Sequence, residues 1–287
     1  MKIAVLSGKG GTGKTLVSVN LAAVAEKSIY VDCDVEEPNG HLFFKPEFTG
    51  KESVSVKMPL VDAQKCTGCR KCVDFCMFNA LAHTGKELLI FEEVCHSCGG
   101  CSLVCPVGAM SEKDKITGEV RMGVSGNVSV FTGMLNIGEA SGIPLIKKLF
   151  KETRGREELI LIDCPPGSAC IVMESIKDAD YCLLVAEPSV FGAHNLEMVE
   201  ELVSLFGKPH GVVLNKCQQG ENPSEEFCRR MGVKILASIP YDKKLGEINS
   251  NGLILVREDD VFREMFLKLL DKIKEDACHE AAFNTQR

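Results

Sequence analysis

Gly8-Lys9-Gly10-Gly11-Thr12-Gly13-Lys14-Thr15 lies between an apolar run at residues 2–7 and a stretch at residues 14–26, where Leu16, Val17, Leu21, Val24 and Ala25 recur at helical spacing. The run reads as a buried strand and the stretch as an amphipathic helix, so the glycine-rich segment is a strand-to-helix turn. Its pattern, G-x-x-x-x-G-K-[S/T], suits a phosphate group. Glycines let backbone N–H groups close around phosphate oxygens at a helix N-terminus, where peptide dipoles favour an anion. By that chemistry Gly8 through Thr15 (Gly8, Lys9, Gly10, Gly11, Thr12, Gly13, Lys14, Thr15) form a nucleotide cradle, with Lys14 on the β and γ phosphates and the Thr15 hydroxyl on magnesium.

Further strands end in chemistry-bearing residues. Ile29-Tyr30-Val31 runs into Asp32-Cys33-Asp34 and then Pro38 and Asn39, while residues 159–162 end at Asp163, followed by Cys164-Pro165-Pro166-Gly167. Val212-Val213-Leu214 ends at Asn215-Lys216, and Ser238-Ile239-Pro240-Tyr241-Asp242 follows the next apolar run. With Lys9 as a second lysine, GKGGTGKT resembles the deviant phosphate loop of the MinD, ParA, Mrp and nitrogenase iron protein superfamily of P-loop ATPases, and the later motifs occur in that superfamily's order. The resemblance implies a Mg-dependent ATPase, slow and stimulated by a partner, that forms a sandwich dimer in its ATP state with a second copy or a similar ATPase. It gives catalytic roles to Lys9, Lys14, Asp34 and Asp163. Lys9 reaches the partner's nucleotide, unless it is simply a surface lysine in a tolerant loop, and Asp34 orients the attacking water. Thr15, Asp32 and Asp163 serve magnesium, the Gly167 backbone approaches the γ-phosphate, Asn215 reads the adenine edge and Pro240 lies beside the base. A guanine-specific N-K-x-D signature needs an aspartate where Gln218 stands, which favours ATP over GTP.

Eight of the fifteen cysteines fall within forty residues. Residues 66–81, CTGCRKCVDFCMFNAL, align with residues 95–110, CHSCGGCSLVCPVGAM, at an offset of 29, with all four cysteines in register. This is an internal duplication. Its C-x2-C-x2-C-x3-C spacing is that of two-cluster bacterial ferredoxins, in which three thiolates wrap one cubane and the fourth crosses to the other. The resemblance assigns Cys66, Cys69, Cys72 and Cys105 to one 4Fe-4S cluster, and Cys95, Cys98, Cys101 and Cys76 to the second. Met77 departs from the proline found at Pro106 but replaces no ligand. Two four-cysteine zinc sites are the alternative.

The composition is ordinary for a globular chain of 287 residues, with 45% hydrophobic and 25% charged residues. A net charge of −7 offers no general attraction to nucleic acid or to an anionic membrane, and no apolar run approaches a membrane span. The thiols and the absence of a secretion signal suit the cytoplasm. Strands near 2–7, 28–32, 158–163, 180–187, 211–215 and 234–239 alternate with helices near 14–26, 141–153, 169–178, 192–206, 223–231 and 258–274, which predicts a doubly wound α/β fold with a mostly parallel sheet. A hairpin is expected at 118–133, a packed C-terminal helix on Phe262, Phe266, Leu269, Leu270 and Ile273, and a frayed last ten residues. The resulting division is a P-loop ATPase domain at 1–58 and 116–287, with an inserted α+β ferredoxin-like domain at 59–115.

An ATP-binding and hydrolysing iron-sulfur protein is therefore expected, coupling ATP state and dimerisation to electron transfer with a redox partner. Its insertion hangs from the segment after Asp34 that a γ-phosphate would order. Two alternatives remain: a carrier or assembly ATPase for iron-sulfur or metal cofactors acting on a client protein, and a positional switch whose clusters are structural. Cys33, Cys164 and Cys170 receive no role from the sequence, although Cys170 sits where the nitrogenase iron protein places a bridging ligand.

Overall fold

The computed structural model describes the backbone of residues 1–284 and side chains through residue 279. In chain order the strands are β1 (Lys2–Leu6), β2 (Ser28–Asp32), β3 (Glu47–Val61), β4 (Leu81–His83), β5 (Leu88–Ile90), β6 (Met110–Ser125), β7 (Val128–Leu135), β8 (Leu159–Asp163), β9 (Tyr181–Ala186), β10 (His210–Cys217) and β11 (Ile235–Pro240). Nine of them form one sheet in the order β11-β10-β9-β1-β8-β2-β7-β6-β3. Neighbours from β11 to β7 are parallel, and the β7–β6 and β6–β3 pairs are antiparallel. The expected α/β architecture with a mostly parallel sheet is thus present.

Alternation along the strands builds a core on each face, because successive side chains of a strand point to opposite sides. Ile3 and Val5 of β1 join the layer under the Lys14–Val24 and Asp260–Asn284 helices, whereas Ala4 and Leu6 join the layer under Ile143–Glu152, Cys170–Ile176 and Val190–Leu205. Cys33 and Cys164 are fully buried in the second layer. In the C-terminal helix Phe262, Phe266, Leu269, Leu270 and Ile273 are buried, as their spacing predicts. The fraying expected of the last ten residues does not occur in the described part: the helix continues to Asn284, and residues 285–287 lie outside the described residues. No helix among the described residues is long and apolar enough to cross a membrane.

Where the sequence predicts a hairpin at 118–133, β6 and β7 pair through a turn closed by Ser125↔Val128. The strands are longer than expected: β3 and β6 pair from Glu47↔Val124 out to Val61↔Met110 as one ribbon. The boundaries drawn at 58/59 and 115/116 fall inside these unbroken strands. The cysteine segment is accordingly the tip of a ribbon that belongs to the main sheet. This was hidden in the sequence because most β3 side chains face solvent, so no continuous apolar run marks the strand.

At that tip the duplication is visible in the backbone. Left-handed φ values occur at Gly68 and Ser97, at Arg70 and Gly99, and at Asn79 and Gly108, each pair separated by the same 29 residues. Pairing repeats as well: Leu81↔Ile90, Ala82↔Leu89 and His83↔Leu88 in the β4–β5 hairpin match Met110↔Val61, Ser111↔Leu60 and Glu112↔Pro59 in the ribbon. The two halves are related as pseudo-symmetric copies.

Candidate functional site

A cleft of about 630 Å³ opens at the carboxyl ends of the parallel strands, the usual ligand position in such sheets. Its walls include Lys9, Lys14, Thr15, Asp34, Asn215 and Pro240, residues that the sequence scatters over more than two hundred positions. The helix that follows the glycine loop has no side-chain cap, which leaves its first backbone N–H groups available to an anion. Gly13 adopts φ 96°, and a Cβ there would stand 2.1 Å from Nδ2 of Asn215. Only glycine fits both the conformation and the space.

The charged centre follows from strand register. Asp32 and Asp163 end adjacent parallel strands at the same level, as register partners. Lys14, only 6% exposed, donates to Oδ1 of Asp163 at 2.6 Å and stands 3.8 Å from Oδ2 of Asp34. Asp32 accepts backbone N–H bonds from Asp34 at 3.2 Å and from Gly40 at 2.9 Å. Burial opposes the charge on Lys14, but Asp163, Asp34 and Asp32 outweigh it and raise the ammonium's pKa. Burial and the Asp163 charge push Asp32 well above the usual carboxylate range. Asp34 is raised from 3.8 to about 6, by burial first, with Lys14 opposing and Asp163, Glu37 and Glu36 adding to the rise.

Three carboxylates around one ammonium leave negative charge uncompensated, which suits a divalent cation that arrives with a nucleotide and keeps phosphate and water as its direct ligands. The buried Thr12 hydroxyl in the loop has no hydrogen-bond partner, a second feature that fits a phosphate oxygen.

The eight clustered cysteines separate into two cavities. Cys66, Cys69, Cys72 and Cys105 line one of about 20 Å³, and Cys76, Cys95, Cys98 and Cys101 line another of about 190 Å³. These are the two sets expected from the ferredoxin spacing, including the crossed fourth cysteine of each. Cys76 Sγ accepts the Ala80 N–H at 3.4 Å and Cys105 Sγ accepts the Ala109 N–H at 3.2 Å, again 29 residues apart. Such bonds favour a thiolate: burial opposes it at Cys105, but several backbone N–H groups prevail and lower its pKa. Among the described residues no group of three or more His, Cys, Asp or Glu side chains is placed to hold a single metal ion. The donor set and its N–H···S bonds fit a thiolate-bound cluster.

Sequence comparison matches residues 3–256 to the CobQ/CobB/MinD/ParA nucleotide binding domain, designated CbiA. The chain belongs to this nucleotide-binding family. An uncharacterized protein of Methanocaldococcus jannaschii is 29% identical over 279 residues, covering 96% of this chain and 97% of that one. An iron-sulfur cluster carrier protein of the same organism is 25% identical over 296 residues, covering 96% of this chain and 84% of its own. Among solved structures, the septum site-determining protein MinD of Pyrococcus horikoshii, complexed with Mg-ADP, superposes with a TM-score of 0.60 at 21% identity, covering 97% and 98% of the two chains.

As a CobQ/CobB/MinD/ParA family member, the chain carries a nucleotide-binding P-loop ATPase fold, and several of its residues hold contacts the motifs did not suggest. Lys9, 37% exposed at its side chain, pairs with Glu187 at 2.5 Å. Asn215, expected at the adenine edge, donates its Nδ2 to the Thr12 carbonyl at 2.7 Å and braces the phosphate loop. Lys216 donates to the Gly11 carbonyl at 2.6 Å. Gly167 donates its N–H to the Ser7 carbonyl at 2.9 Å, which ties the segment after Asp163 to the end of β1.

Tyr30 and Glu187 were missed by sequence reasoning. The Tyr30 hydroxyl donates to Oδ2 of Asp163 at 2.7 Å, and a phenol between Ile29 and Val31 in a buried strand was the available signal. Glu187 carried no signal, since its partner lies 178 positions away. Cys170 is exposed at the start of its helix.

Proposed function

We propose that the protein is an ATP-hydrolysing iron-sulfur protein in which nucleotide state and dimerisation gate electron transfer through two 4Fe-4S clusters. In this reading Lys14 and the loop N–H groups bind the phosphates, Thr15, Asp32 and Asp163 serve magnesium, Asp34 orients water and Lys9 completes the site of a second protomer. Cys66, Cys69, Cys72 and Cys105 hold one cluster and Cys76, Cys95, Cys98 and Cys101 the other, in an inserted unit at 59–115 that is continuous with the β3 and β6 strands of the main sheet. The clusters supply one-electron exchange, while the chain's own residues set their exposure and the N–H bonds to sulfur that tune potential.

The observation that carries the reading is the division of eight cysteines into two cavities by the crossed pattern of a duplicated segment. Anaerobically prepared protein should contain about eight iron and about eight acid-labile sulfide per chain. It should also give midpoint potentials that differ between its ADP and ATP-analogue states. Zinc without sulfide would replace the clusters with the zinc alternative, and nucleotide-independent potentials would remove the gating.

A second reading, an iron-sulfur cluster carrier, is favoured by the relatives bearing that name and by the exposure of one thiol in each set, Cys69 and Cys98. A carrier passes its cluster to an apo-acceptor within minutes, whereas an electron-transfer protein reduces a holo-acceptor and keeps its iron.

A further inference from the structure

The family resemblance makes Asp32 through Asn39 a switch that a γ-phosphate would order, and the structure offers a short physical route from that switch to one cysteine cavity. Val35 is buried, its carbonyl accepts the Leu135 N–H at 2.8 Å, and a Cβ on Gly142 would stand 2.4 Å from Val35 Cγ2. The backbone at Gly142 thus lies close against Val35 with no room for a side chain between them, and movement at Val35 reaches the loop at residues 136–142 through this packing and through the bond to Leu135. The loop is fastened to β6: Asn136 N–H donates to the Thr117 carbonyl at 2.9 Å and Asn136 Nδ2 to the Ile116 carbonyl at 3.2 Å.

From that loop, Glu139 pairs with Lys115 at 3.1 Å, and Lys115 stands 3.9 Å from Glu92. Glu92 opens the short helix Glu92–Val94, whose carbonyl accepts the Cys95 N–H at 3.3 Å. Lys113 holds the other end of this chain, pairing with Glu92 at 2.7 Å. Glu139 and Lys115 have side chains only 11% and 24% exposed, so their attraction is less screened than that of an open surface pair. The same loop and residues 95–97 face each other across a cleft of about 360 Å³, which leaves room for relative movement.

The expected route ran along the chain from Asp32 into the insertion. Along that path lies β3, a fifteen-residue edge strand whose side chains are mostly exposed, and its length makes it a poor transmitter compared with three directly linked side chains.

We infer that Glu139, Lys115 and Glu92 are positioning residues that transmit nucleotide state to the Cys76, Cys95, Cys98 and Cys101 site, and not to the Cys66, Cys69, Cys72 and Cys105 site. The inference rests on the nucleotide-gated reading above and names the cluster that is gated. When the switch orders around a γ-phosphate, Val35 shifts the 136–142 loop. Glu139 then draws on Lys115, and the Glu92–Val94 turn moves against Cys95. The other cysteine set has no corresponding link to the loop among the described contacts.

The test compares holoprotein holding Mg-ADP with holoprotein holding Mg and a non-hydrolysable ATP analogue. It reads amide hydrogen exchange by segment and the midpoint potential of each cluster. In the natural protein, amides 93–97 should change exchange by about tenfold or more, and amides 66–72 by less than about twofold. Lys115→Met should abolish the change at 93–97, Lys115→Arg should restore it, and Glu139→Gln, which keeps the shape of the loop, should reduce it. All three variants should retain nucleotide affinity and iron content. A response at 66–72 instead, or one that survives in both Lys115→Met and Glu139→Gln, overturns the relay. Loss of any response in the natural protein overturns gating and relay together. Anaerobically prepared natural protein that contains no iron yet still responds at 93–97 leaves the relay standing and removes the cluster reading.

Discussion

The nucleotide end and the cysteine end of the molecule are built on different physics. Around the cleft, two layers of buried aliphatic and aromatic side chains cover both faces of the sheet. Around the cysteines, the buried apolar cluster consists of Leu81, Leu88 and Met110, with partly buried cysteines packed against it. Met77 and Leu103 in the same region are each 87% exposed. Water exclusion holds the first region. So small a cluster offsets little chain entropy, and under the proposed reading bonds from thiolate to metal contribute folding free energy there. On that reading one chain combines a region that is stable by burial with a region that is stable by ligation.

Removing the metal is the strongest way to break this comparison. Anaerobic chelation should bring amide exchange over residues 62–109 close to that of an unfolded chain, while the strands from β7 to β11 keep their protection and the cleft still binds nucleotide. If both regions melt together, the ribbon carries more structural weight than its apolar content indicates.

The next effect lies wholly at the nucleotide end. Lys9→Ala should reduce turnover about a hundredfold or more if, as proposed, its charge meets the transferring phosphoryl group, while binding of nucleotide by one protomer is nearly unchanged. Steady-state hydrolysis and nucleotide titration check it, and iron content should be unaffected.

Gly13→Ala sharpens the contrast by adding strain without removing chemistry. A left-handed alanine costs about 1–3 kcal/mol, and its Cβ would displace Asn215 from the Thr12 carbonyl. Nucleotide affinity should fall and the thermal midpoint of the body should drop, with no change in the spectrum of the clusters.

The pH dependence gives a smaller and signed effect. Asp34 holds its proton up to about pH 6 in the folded chain, against 3.8 as its ordinary value. Between those values the folded state binds more protons than the unfolded one, so this group's contribution to stability falls as pH rises through the window and levels off above about 6. Denaturant midpoints between pH 4 and pH 6.5 should show this slope in the natural protein and lose it in Asp34→Asn. An aspartate that orients water acts when ionised, so kcat/KM should rise through the same region.

At the bottom of the range stands the exposed Lys57–Asp114 pair on the ribbon, at 3.0 Å. Lys57→Met should change stability by no more than about 1 kcal/mol, because both groups are well solvated.

Much of the nucleotide site was legible in the sequence because local chemistry marks it. A glycine loop must sit between strand and helix, and strand-end aspartates follow runs of aliphatic residues that announce a buried strand. The cysteine spacing was equally local, and it anticipated which thiols share each cavity. Less legible was the ribbon, because exposed strand positions carry no pattern of burial. The contacts of Lys9, Asn215 and Tyr30 were also hidden, since their partners at Glu187, Thr12 and Asp163 are distant in the chain.

By itself, then, the order of residues determined the phosphate loop, the alternation of strands and helices and the grouping of thiols, each a matter of spacing within a few turns of chain. Tertiary structure decided the rest. Strand register set Asp32 level with Asp163. Pairing of β3 with β6 made the cysteine segment an extension of the sheet. The meeting of Glu139, Lys115 and Glu92 joined the 136–142 loop to the turn that precedes Cys95. Such contacts form only when separate elements are brought to within a few ångströms, and no local pattern of residue types specifies which element will be the neighbour.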